Sequence, residues 1–135
     1  MNTHLTALRG RTVLIVDDSP EMTALLDDVL SASGARTVVA QDGLSAMQLI
    51  MDRHFDLVIL DVVMPQPDGL AVLKFMEQQC PHLVHQTILL TGAVHHTAVR
   101  TLEDLNVCLL LKPFDLRSLR GAACQLALSD TRPAA

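Results

Sequence analysis

The chain has 135 residues, 50% of them hydrophobic, which suits one globular domain and leaves no room for a second of ordinary size. Its 15 acidic and 10 basic residues give a formal charge of −5 with no Lys/Arg cluster, so the field repels a phosphate backbone and excludes nucleic acid as a direct ligand. The longest apolar run, residues 107–111, is far below the ~20 residues of a membrane span. The opening MNTHLTALRGR lacks the apolar region of a signal peptide, and a cytoplasmic protein away from the membrane is expected. Cys80, Cys108 and Cys124 form no C-x-x-C pair and read as reduced, buried thiols. With three Phe and no Tyr or Trp, the core is aliphatic and aromatic platforms for bases or flavins are nearly absent.

Residues 1–10 read as an N-terminal extension, and the first predicted strand spans 12–16. Ser19 is placed to cap the following helix, Pro20 suits its first position, and Glu21 favours the positive end of its dipole. Met22, Leu25, Leu26, Val29 and Leu30 then repeat at helical spacing as one apolar face, with Asp27 and Asp28 pointing elsewhere. Gly34 is the expected left-handed terminator. Strand 37–41 and helix 43–53 follow, then strand 55–60 and helix 69–79 with Asp68 as its cap. Strand 87–90 leads to a helix over 94–105, with Asn106 as its terminator, and strand 107–111 leads to a helix over 115–128. Residues 129–135 read as a frayed tail, where a linker would start in a longer chain. The alternation of short apolar runs with helical periodicity predicts an α/β fold: a doubly wound, five-stranded parallel sheet of order 2-1-3-4-5 with five helices. The domain is expected to occupy 11–128.

In a parallel sheet the first polar residue after each buried run falls on the carboxyl edge. Asp17 and Asp18 follow the first run, Asp61 the third, Thr91 the fourth and Lys112 the fifth. Three carboxylates gathered there repel unless protonated or bridged, and a hard, oxygen-seeking cation relieves the repulsion. Mg²⁺ fits best, because it accepts a few carboxylates and prefers shells completed by a phosphoryl oxygen. With a lysine to pair with phosphoryl oxygens and a threonine to donate a hydrogen bond, the set suits phosphoryl transfer to a carboxylate. Asp61, alone at its strand end, is the candidate nucleophile, and the adjacent Asp17 and Asp18 suit a metal. Taken singly, each aspartate could equally form a turn or cap, as Asp18 or Ser19 could for the next helix.

The stretches VLIVDDSP (13–20), LVILDVVMPQPDG (57–69), ILLTGA (88–93) and LLLKPFD (109–115), in that order and spacing, resemble the receiver domain of two-component response regulators, over about residues 11–128. The resemblance implies a flavodoxin-like receiver fold and a phosphoacceptor signalling domain rather than an enzyme with a turnover substrate. Asp61 would accept phosphate from a sensor histidine kinase or a histidine phosphotransfer protein. Asp18, Asp61 and the Val63 backbone carbonyl would ligate Mg²⁺ directly, with Asp17 acting mainly through a water. Thr91 would move toward the new phosphoryl group, Lys112 would contact it, and the Lys112-Pro113 peptide would be cis. No output domain accompanies the motifs, so the signal is expected to pass by protein contact through the face of the fourth predicted helix, fifth strand and fifth predicted helix. A homodimer is compatible with the same features.

This chain departs from the family pattern at Leu109, where receivers often carry Tyr or Phe, so an aromatic toggle is excluded. In the resembled family, polar side chains two positions after the nucleophile and two after the threonine help orient the water that removes the phosphoryl group. Here those positions are Val63 and Ala93, which cannot hydrogen-bond, and slow self-dephosphorylation is expected. His95 and His96 are adjacent and cannot make a helical metal pair, and His4, His54, His82 and His85 read as loop or helix-end residues. A dehalogenase-type phosphatase needs an acid at position 63, which is Val. An FMN carrier needs a Ser/Thr/Gly-rich loop where Asp-Asp-Ser-Pro stands. A receiver that only binds partners would not need all five site residues.

Overall fold

The structure, a computed structural model, describes residues 7–92 and 107–128. The expected helix over 94–105 lies outside them, as do Ala93, His95, His96, Asn106, His4 and the tail 129–135. Five parallel strands, β1 (Thr12–Val16), β2 (Arg36–Ala40), β3 (Leu57–Asp61), β4 (Thr87–Thr91) and β5 (Cys108–Leu111), form one sheet of order β2-β1-β3-β4-β5. Register places Val13 beside Thr37 on one side and Leu57 on the other, so the central strands are buried on both faces. Each β-strand side chain alternates between faces. Leu14, Val16, Val58, Leu60 and Leu89 point into one core, where they meet Ala46, Ile50, Val72, Leu73 and Met76. Val13, Ile15, Leu57, Ile59, Ile88 and Leu90 point into the other, against Leu26, Val29, Leu30, Leu119 and Ala123.

The helices covering these cores are α1 (Pro20–Ala32), α2 (Gly43–Asp52), α3 (Gly69–Gln79), α4 (Pro81–Val84) and α5 (Leu116–Leu128). Their starts follow from short polar side chains that satisfy free backbone N–H groups, each worth about 1 kcal/mol. Ser19 Oγ accepts from Met22 N at 3.2 Å, Asp42 Oδ1 from Ser45 N at 2.7 Å, Asp68 Oδ1 from Ala71 N at 3.0 Å and Asp115 Oδ1 from Ser118 N at 2.6 Å. Asp115 therefore caps α5 from outside it, one residue after the predicted start. Helix α1 closes with Ala35 N on Leu30 O and Gly34 N on Ser31 O, and Gly34 holds the left-handed conformation expected of it.

Several expectations need correction. Strand boundaries shift by one or two residues: β2 and β3 lie at 36–40 and 57–61, and Phe55 is a core side chain before β3 rather than its first residue. Leu25, expected on the apolar face of α1, is 41% exposed; with Met22 it edges an open groove lined also by Pro113, Phe114 and Leu116. Only Cys124 is buried, while Cys80 and Cys108 are half-buried. The core also reaches upstream of residue 11. Leu8 is fully buried against α1, its N–H donating to Ser33 O at 3.0 Å. Helix α4 was not expected; Pro81 at its first position follows directly on Cys80, the last-turn cap of α3. Among the described residues, no helix is long and apolar enough to cross a membrane.

Candidate functional site

The carboxyl edge of the sheet gathers the residues that the strand ends predict. β1 delivers Asp17 and Asp18, β3 ends in Asp61, β4 in Thr91, and β5 runs into Lys112. Strand order puts β1 beside β3, so one oxygen from each of Asp17, Asp18 and Asp61 falls within 4.8 Å of the others. Asp17 and Asp61 are buried, whereas Asp18 is exposed. Lys112 Nζ donates to Asp61 Oδ1 at 3.1 Å, and Val63 N approaches the same oxygen at 3.3 Å. Lys112 N donates to Thr91 O at 2.7 Å, which ties the ends of β4 and β5 together.

The electrostatics of this cluster are unbalanced. Asp17 Oδ1 accepts from Ser19 N at 2.9 Å, but its Oδ2 is buried with no hydrogen-bond partner. Burial pushes the Asp17 carboxyl above its ordinary value, opposed by the Ser19 N–H and reinforced by the neighbouring Asp61. Among the described residues one ammonium faces three carboxylates, and a buried carboxylate oxygen without a donor is an energetic cost that a cation removes. The donor set is all oxygen, which suits a hard divalent ion. Asp17, Asp18 and Asp61 could therefore hold a metal.

Val63 stands 66% exposed at the mouth of the site, while its neighbour Met64 is buried in the core. Lys112-Pro113 is cis, as expected, and Gln66-Pro67 is cis as well. Sequence reasoning missed the contacts that hold the loop after β3: Gly69 N donates to Val62 O at 3.1 Å, and Pro67 lies against Gly43. Glycine and proline at those positions were visible signals of close backbone packing, but not of their pairing. His54, read as an isolated loop residue, lies 3.3 Å from Asp56 at the opposite end of β3.

Comparison with known proteins agrees with this geometry. The family described as "Response regulator receiver domain" matches residues 13–123. The "Transcriptional regulatory protein CpxR" of Escherichia coli (strain K12) is 42% identical over 82 residues, covering 59% of this chain and 33% of that protein. The "Regulatory protein AtoC" of the same organism is 36% identical over 112 residues, covering 79% of this chain and 23% of that protein. The matches thus span a third or less of the length of these regulators. Among solved structures, the Francisella response regulator 1452 receiver domain is similar with a TM-score of 0.79 at 25% identity, covering 88% of this chain and 98% of that one. The signal receiver domain of a histidine kinase from Syntrophus aciditrophicus gives a TM-score of 0.82 at 27% identity, with coverages of 93% and 96%.

Proposed function

The chain belongs to the response regulator receiver domains of two-component signalling, and on that premise we propose that Asp61 is the phosphoacceptor, loaded by a sensor histidine kinase or a histidine phosphotransfer protein. The observation that carries this reading is the placement of a buried carboxylate 3.1 Å from Lys112 and beside two further carboxylates. The orphaned Asp17 Oδ2 favours Mg²⁺ as the resident ion. Asp18, Asp61 and the Val63 carbonyl would hold it directly, with Asp17 acting mainly through a water. Bound there, Mg²⁺ would offset negative charge on the phosphoryl oxygens.

A carboxylate oxygen of Asp61 forms the new P–O bond as the P–N bond of the donor phosphohistidine breaks, its electrons returning to the imidazole nitrogen. Lys112 then turns its ammonium from Asp61 Oδ1 to the phosphoryl oxygens, and the Thr91 hydroxyl donates a hydrogen bond to them. Because Lys112 N is bonded to Thr91 O, motion at either strand end reaches the other. The change is passed to a downstream protein, or to a second copy, through the face that carries β5 and α5. The Val63 side chain offers no hydrogen bond to a hydrolytic water, which favours a long-lived phosphoryl group.

Intact mass after treatment with acetyl phosphate and Mg²⁺ tests the assignment. The wild-type chain should gain one phosphoryl group, and Asp61→Asn should gain none. A phosphoryl group retained on Asp61→Asn under the same conditions would refute it.

A further inference from the structure

The loop from Asp61 to Gly69 is held at three places. At its base Gly69 N donates to Val62 O at 3.1 Å, and a Cβ on Gly69 would press into the Asp61 carbonyl and come within 2.6 Å of the Val62 Cα. In its middle Met64 is buried in the core. At its crown Pro67 lies flush on Gly43, the first residue of α2. A Cβ there would overlap the Pro67 carbonyl oxygen and lie 2.8 Å from its Cγ. Contacts of that length do not exist between real side chains, so any larger residue at 43 must displace Pro67. Val63 lies between these anchors, with its N–H 3.3 Å from Asp61 Oδ1.

We infer that Gly43 is a positioning residue for the acceptor loop, its bare backbone forming the seat on which Pro67 sets the height of the Val63 carbonyl. This rests on the assignment of that carbonyl to Mg²⁺. Gly43 lies on another element, α2, and carries no side chain that could ligate a metal. The base and Met64 are packed, so the strain of a displaced Pro67 falls on the exposed backbone between the anchors, where Val63 is 66% exposed. The loss falls on metal affinity, as with other outer residues that orient a ligand.

The test uses the full chain and reads Mg²⁺ affinity by calorimetry, with phosphorylation by acetyl phosphate at limiting and saturating Mg²⁺. Gly43→Ala should weaken Mg²⁺ binding roughly tenfold. Its phosphorylation should fall at limiting Mg²⁺ and recover at saturation. Pro67→Gly, which removes the ring without adding atoms, should weaken binding in the same direction but less. Gly121→Ala, at a site with nothing within 4 Å of the new methyl, should bind Mg²⁺ as the wild type does. A folded Gly43→Ala with wild-type affinity overturns the inference. If that variant fails to fold, an unchanged affinity in Pro67→Gly overturns it instead. A wild-type chain that neither binds Mg²⁺ nor gains a phosphoryl group refutes the proposed function, and this inference falls with it.

Discussion

Two aspartates bracket β3, and their surroundings differ sharply. Asp56, just before the strand, accepts from Thr12 N at 2.8 Å and has Arg11 at 3.8 Å and His54 at 3.3 Å. Asp61, at the strand's other end, has a single ammonium and shares its surroundings with two more carboxylates. Both residues follow from the same strand, yet at one end charge is balanced and at the other it is left in excess. Structural carboxylates are satisfied by their own chain, whereas the unspent acceptors at the other end fit the cation and phosphoryl group proposed for it. The orphaned oxygen of Asp17 is the clearest mark of the second condition.

The largest contrast comes from exchanging the two roles. Asp61→Asn should abolish the phosphoryl mass gain, while Asp56→Ala should leave it intact and lower stability by about 1–3 kcal/mol in denaturant titration, because Thr12 N–H loses its acceptor. A phosphorylation defect in Asp56→Ala would erase the distinction. Asp17→Asn should lose at least tenfold in Mg²⁺ affinity, yet melt higher than wild type in metal-free buffer at neutral pH. The sign follows from the raised Asp17 value: ionising it opposes folding. That cost is absent below the ordinary carboxylate range and grows as pH rises through the raised value, so the variant's advantage should vanish in acid. A variant that melts lower at neutral pH without metal would contradict it. Val63→Asn should shorten the phosphoryl lifetime several-fold, followed by loss of mass after donor removal; an equal or longer lifetime would show that position 63 does not limit water. The smallest effect belongs to the neutralised end. His54→Gln should cost no more than about 0.5 kcal/mol, since His54 is largely exposed.

Much of this was legible in the sequence. Ser19 and Asp68 announce their helices, and the run-then-polar rule places Asp17, Asp18, Asp61, Thr91 and Lys112 on one edge. Those features depend on local propensity and on the period of the sheet. What stayed hidden depends on contacts between distant segments. Asp56 falls inside the predicted strand 55–60, and nothing local marks it as the acceptor for Thr12 N, 44 positions away. Leu8 looks like part of a loose leader until α1 covers it. Helix α4 is too short for periodicity to register, and the Cys80-Pro81 junction was its only signal. At the site itself, the gathering of the side chains was readable and their mounting was not, because the seat of Pro67 on Gly43 joins two segments that sequence cannot place together.

The contact between Arg11 and the last turn of α5, where the guanidinium lies 3.5 Å from Ala127 O, has a geometric consequence for tethering. Arg11 sits at the amino edge of the sheet, and α5 returns antiparallel to the strands, so residues 7 and 128 both emerge from the floor opposite the carboxylates. A fluorophore attached at residue 7 or 128 therefore sits across the sheet from Asp61, away from the side on which the proposed phosphodonor would approach.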